Sequence, residues 1–233
     1  MVSLQPFKLG HARLAQSEAY ATLREAVLIP SGWAPVVPAV EGLCDVVVLV
    51  HGFLATAGVF RPMRKRLEES GYAVASFTYA PGRSIDAVAR RLADVVERIP
   101  ANARVHVVGH SLGGVVARYY VQYLNGHRRV TQTVSLASPF YGSPHAKLVA
   151  WLVRDLRPDS RVLERVRACP SHIRVPHTSI IAGRDRLIPA ESARFPGSPS
   201  VVLEDRGHNS LLFDREVVRI VLDSLRGDRA VAA

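Results

Sequence analysis

The strongest chemical signal in the chain is Gly109-His110-Ser111-Leu112-Gly113, followed by Gly114. It fits the pattern G-x-S-x-G. It lies directly after the apolar run RVHVV, Arg104–Val108, and directly before VVARYYVQYL. A nucleophile on a sharp strand-to-helix turn needs neighbours two residues away with no side chain, and Gly109 and Gly113 meet that demand. The start of the following helix aims N–H groups at the site and favours negative charge there. The chemistry this suggests is attack by the Ser111 hydroxyl on an acyl carbon.

A serine hydroxyl is a weak nucleophile and needs a base. Among nine histidines, His208 stands in Asp205-Arg206-Gly207-His208-Asn209, right after the last apolar run. His145, in Ser143-Pro144-His145, is the competitor. The base in turn needs a carboxylate to hold its tautomer. Asp185, in Ile181-Ala182-Gly183-Arg184-Asp185, follows another apolar run, and Asp205 is the alternative. With Asp185 the chain order is Ser, Asp, His. Acyl transfer also needs two oxyanion donors. One is expected from the backbone N–H of Leu112, the other from that of Phe53 in the loop His51-Gly52-Phe53-Leu54. His51 is expected to brace that loop and to transfer no proton.

These loops need strands to carry them. Cys44–Val50, Tyr72–Tyr79, Arg104–Val108, Val130–Ala137, Thr178–Ala182 and Ser200–Leu203 read as strands. Val59–Ser70, Ser84–Ile99, Leu112–Leu124 and Leu211–Leu225 read as helices between and after them. Such alternation predicts an α/β fold, a mostly parallel sheet wrapped on both faces. The whole chain, 1–233, reads as one domain, with 1–44 a peripheral segment. The stretch 139–177 is too long for a simple crossover and is expected to be a helical cap. Within it, Lys147–Leu156 puts Leu148, Trp151 and Leu152 on one helical face. These three are the expected acyl contacts. The same lid is the expected point of transient contact with a lipid or membrane surface.

The chain is 48% hydrophobic over 233 residues. That content excludes a disordered chain. No apolar run approaches the roughly 18 residues of a membrane-spanning helix. Lys and Arg number 30 against 20 Asp and Glu, but they are scattered and lack interleaved aromatics. No nucleic-acid partner is expected. Cys44 and Cys169 make no disulfide framework and sit in no metal-binding spacing. Met1–Gly10 has no apolar core of signal-peptide length, so a cytoplasmic location is expected.

Four pieces together, VVVLVHGF, GHSLGG, GRDRLIP and RGHNSLL, make the stretch from about 45 to 226 resemble the α/β-hydrolase superfamily, in its lipase-like and esterase-like branch. Ser138-Pro139-Phe140-Tyr141-Gly142-Ser143 is similar to a segment of bacterial triacylglycerol lipases, with Phe140 where that family has histidine. The resemblance implies a sheet of about six or more strands with a small helical lid. It implies hydrolysis of carboxylic, lipid-like esters through an acyl-enzyme, with no cofactor and no metal. The substrate expected is a small-molecule acyl ester or a lipid. The same superfamily includes thioesterases and acyltransferases, and a non-catalytic ligand-binding protein is the remaining alternative.

Overall fold

A computed structural model of the chain describes residues 18–32, 35–38, 44–144 and 154–227. Among these residues the strands are β1 Asp45–Val50, β2 Ala73–Phe77, β3 Arg104–His110, β4 Val130–Leu136, β5 His177–Ala182 and β6 Ser200–Leu203. The helices are α1 (18–28), α2 Arg61–Glu69, α3 Ile85–Glu97, α4 Leu112–Tyr123, α5 Arg161–Ala168 and α6 Arg215–Gly227. The strands form one sheet in the order β2-β1-β3-β4-β5-β6. Every neighbouring pair is parallel.

The continuous apolar run of β1 is explained by burial on both faces, since alternate side chains of a strand point to opposite sides. Val46, Val48 and Val50 join a core with α3, α4 and α5. Val47 and Leu49 join a second core with α2 and α6. The Ser84 hydroxyl accepts from Ala87 N at 3.2 Å. It thereby caps α3. That helix then lays Ile85, Val88, Leu92 and Val96 into the first core.

Two elements differ from the sequence expectation for local reasons. The helix expected from Val59 begins as a 3-10 turn, Ala57–Phe60, and becomes α-helical only at Arg61, beside Pro62. The helix expected over Leu211–Leu225 is split into a 3-10 turn, Ser210–Leu212, and α6. Asp214 causes the split, because its carboxylate accepts from Glu216 N at 2.7 Å and restarts the helix.

In the insert, α5 lies on α4, with Gln122 Nε2 donating to the Val166 carbonyl at 3.1 Å and Tyr123 Oη donating to that of Arg165 at 2.7 Å. Asp155 accepts from Ile85 N at 2.8 Å and ties the insert to the start of α3. Leu148, Trp151, Leu152 and His145 lie outside the described residues. Cys44 and Cys169 are both free thiols.

The chain leaves β1 for β2 on one side and returns to β3 on the other. A sheet with such a reversal has a crevice at the carboxyl ends of the two strands flanking it, here β1 and β3.

Candidate active site

Ser111 stands at that crevice, between β3 and α4. Its backbone has φ 51° and ψ −122°. Such a conformation is costly for any residue with a side chain. The surroundings hold it there. Its N–H donates to the Leu136 carbonyl at 2.8 Å, and its carbonyl accepts from Gly114 N at 3.2 Å. The glycines are required by space: a Cβ on Gly109 would come within 2.3 Å of the Gly113 carbonyl carbon, and one on Gly113 within 2.0 Å of the Val50 oxygen.

Asp185 follows β5 and His208 follows β6, so both loops emerge at the same sheet edge as Ser111. His208 Nδ1 donates to Asp185 Oδ2 at 2.6 Å. The other oxygen, Oδ1, accepts from Leu187 N at 2.8 Å and Ile188 N at 2.9 Å. With three donors on it, this carboxylate is fixed and the ring tautomer is defined, leaving His208 Nε2 as the basic nitrogen. No hydrogen bond joins Ser111 Oγ to His208 in this structure, and such contacts are often long before substrate binds. Asp205, the alternative acid, instead pairs with Arg206 at 2.5 Å and is mostly exposed.

Ser111 and His208 both line a cavity of about 380 Å³. Its apolar wall includes Phe53, Leu54, Leu156, Leu187 and Ile188. Phe53 follows Gly52, and a Cβ at Gly52 would lie 3.1 Å from Ser111 Cβ, so this loop crosses close over the serine. Leu112 is the first residue of α4, and its N–H is among those a helix start leaves unpaired.

The loop holding Phe53 is braced as expected. His51 stacks on Tyr79 with ring centroids 4.0 Å apart. Tyr79 N donates to His51 Nε2 at 3.2 Å, which makes Nδ1 the donor to the Gly52 carbonyl at 2.8 Å. Tyr79 Oη closes the frame by donating to the His51 carbonyl at 2.6 Å. Burial lowers the His51 pKa to about 4, so the ring is neutral near pH 7.

Two contributors were not evident from the sequence. His110 Nε2 donates to the His208 carbonyl at 3.2 Å, and the two rings sit 4.8 Å apart. Burial holds the His110 pKa well below the usual imidazole range, so it positions the His208 loop as a neutral ring. The second is α1. Residues 1–44 were expected to be peripheral, yet Thr22, Glu25, Ala26 and Ile29 line the cavity. Glu18 accepts from Asn209 N at 2.7 Å and Ser210 N at 3.0 Å, and Thr22 Oγ1 accepts from Asn209 Nδ2 at 3.2 Å. Helical spacing puts residues 18, 22, 25 and 29 on one face, the face turned to the site. The one sequence cue was the helical composition of Ser17–Ala26; nothing local says where that helix docks.

Phe140, which stands where the lipase segment has histidine, is fully buried. It meets His177 and Phe195 edge-on, at 5.4 and 5.1 Å between centroids. It is a packing residue under the site.

The family model for palmitoyl protein thioesterase matches residues 46–169. Among solved structures, the chain is similar to the mature Bacillus licheniformis lipase BlEst2, with TM-score 0.66 and 16% identity over 81% of this chain and 94% of that one. It is similar to Aspergillus fumigatus lipase B, with TM-score 0.70 and 18% identity over 84% of this chain and 56% of that one. A monoacylglycerol lipase from Paleococcus ferrophilus aligns with TM-score 0.63 and 15% identity, over 78% and 94% of the two chains. At these identities the likeness establishes the fold, which is that of the α/β-hydrolases.

Proposed function

The chain belongs to the palmitoyl protein thioesterase family, and on that premise we propose that it is a serine hydrolase of acyl esters, thioesters included. The observation that carries this reading is the Asp185–His208 pair at 2.6 Å, opening on the same cavity as Ser111. Ser111 Oγ attacks the acyl carbonyl while His208 Nε2 takes its proton. Asp185, held by three donors, orients the ring and stabilises the imidazolium. The N–H groups of Phe53 and Leu112 receive the oxyanion. The tetrahedral intermediate collapses, and His208 delivers its proton to the departing alcohol or thiol. Water, deprotonated by His208, then attacks the acyl-enzyme, and His208 returns that proton to Ser111 Oγ as the acid leaves.

The cavity supports an apolar acyl group, because Ile29, Phe53, Leu54, Leu156, Leu187 and Ile188 give it an extended apolar wall. Its size is ordinary for a small-ligand site. A small-molecule acyl ester or a lipid is therefore the proposed substrate.

The test is turnover of matched oxygen esters and thioesters, short to long acyl chain, by the wild type and by Ser111→Ala. Turnover by the wild type with a loss of roughly 10⁴-fold or more in the variant is expected. Equal rates for the two proteins would remove Ser111 from the mechanism. A folded wild type inactive on the whole series would overturn the hydrolase reading.

A further inference from the structure

Glu25 is unusual among the residues around the cavity. Among the described lining residues it is the sole carboxylate, and none is Lys or Arg, although the protein as a whole carries a net charge of +10. It is half-buried on the inner face of α1, and among the described residues no hydrogen bond or ion pair holds it. Glu18, about two helical turns earlier, faces the same way but is consumed by two backbone N–H groups. The charged groups that act on Glu25 are the His208 ring and the Glu18 carboxylate. Leaving a carboxylate partly dehydrated with no partner is unfavourable unless a ligand supplies one.

Its side of the cavity can be assigned. In the proposed reaction His208 hands its proton to the departing oxygen or sulfur, so the leaving group must lie beside His208. The acyl chain lies on the other side of the carbonyl, against the apolar wall. Helix α1 is bonded to the His208 loop through Asn209 and Ser210, and Glu25 and His208 line the same cavity. Glu25 therefore belongs to the leaving-group side.

We infer that Glu25 is a specificity residue that selects leaving groups bearing a cation, an alcohol or thiol that carries an ammonium group. This assignment of sides rests on the hydrolase reading, but the recognition itself does not need turnover. A half-buried carboxylate facing an ammonium group favours it over a neutral isostere by about fivefold, more than an exposed pair and less than a buried one.

The experiment is calorimetric binding of two isosteric esters of one acyl chain. One carries a 2-(trimethylammonio)ethyl leaving group and the other a neutral 3,3-dimethylbutyl group. The protein is Ser111→Ala, so that nothing is consumed, with and without Glu25→Gln. The expected result is about fivefold tighter binding of the cationic ester to Ser111→Ala, with the preference lost in the double variant and weakened by salt. Equal affinity for both esters in Ser111→Ala would overturn the assignment. So would a preference that survives Glu25→Gln. Turnover of the same pair by the protein with Ser111 in place separates the two ideas. Turnover without preference removes Glu25 alone, and a binding preference without turnover removes the hydrolase reading and the leaving-group side while Glu25 keeps its recognition of the cation.

Discussion

At the scale of single residues, the proposed mechanism divides the site into groups that need their side chains and groups that need only their backbone. Ser111, Asp185 and His208 are of the first kind. Phe53 and Leu112 are of the second, and that difference is testable. Phe53→Leu keeps the N–H and much of the apolar wall, so kcat should stay within about threefold of the parent. Phe53→Pro removes the N–H and should lower kcat by about 100-fold or more, the usual loss for one oxyanion donor. A folded Phe53→Pro protein with parental kcat would show that the donor lies elsewhere. Proline also restricts the residue before it, but that residue is Gly52, which has no Cβ to clash and still makes the close approach to Ser111.

At the scale of elements, each functional group sits on a loop at the carboxyl edge of one sheet: after β1, β3, β5 and β6. That much was legible in the sequence, because glycines beside Ser111 and apolar runs before Asp185 and His208 are local patterns. The pairing of His208 with Asp185 and not Asp205 was legible too, from the place of Asp185 after β5, and two further backbone donors hold that carboxylate in place. The role of α1 was not legible. Glu18 meets Asn209 and Ser210 across more than 190 residues of chain, and no periodicity encodes such a contact. His110 was hidden differently: its motif position was plain, but its bond to the His208 carbonyl depends on how β6 ends. Glu18 also gives an element-scale prediction. Glu18→Ala leaves two loop N–H groups without an acceptor, which should cost about 1–3 kcal/mol of local stability. Faster hydrogen exchange at Asn209 and Ser210 is expected, with kcat/KM about tenfold lower as the base loses its fixed place. Glu18→Gln, which keeps one acceptor oxygen, should fall between. Unchanged exchange in the alanine variant would mean that α1 merely rests on the loop.

At the scale of the whole molecule, three histidines among the described residues are committed to the neutral form inside the fold. His51 is buried against Tyr79, His110 against His208, and His177 between Thr133 and Ser135, with the Arg118 guanidinium nearby. Burial lowers the pKa of all three, that of His51 to about 4. An unfolded histidine binds its proton near pH 6.5. Between that value and the folded pKa the unfolded chain holds more protons than the native one, so stability rises with pH across the window. The contribution is complete above about pH 6.5 and is lost as pH falls towards about 4. For His51 alone the full loss is about 3 kcal/mol. His110 and His177 act in the same direction. Glu25 opposes them, since burial raises its pKa and the native state gains as it protonates, but it is one half-exposed group against three buried rings. The midpoint of denaturant unfolding should therefore fall steeply from pH 7 to pH 4.5, with more than one proton taken up on unfolding. His177 can be separated from the others, because its partners Thr133 and Ser135 lie away from the cavity lining. His177→Gln should flatten part of the slope without moving the pH dependence of turnover. A midpoint that stays constant from pH 7 to pH 4.5 would mean that these rings meet water in the native state, and the brace around Phe53 would then lose its physical basis.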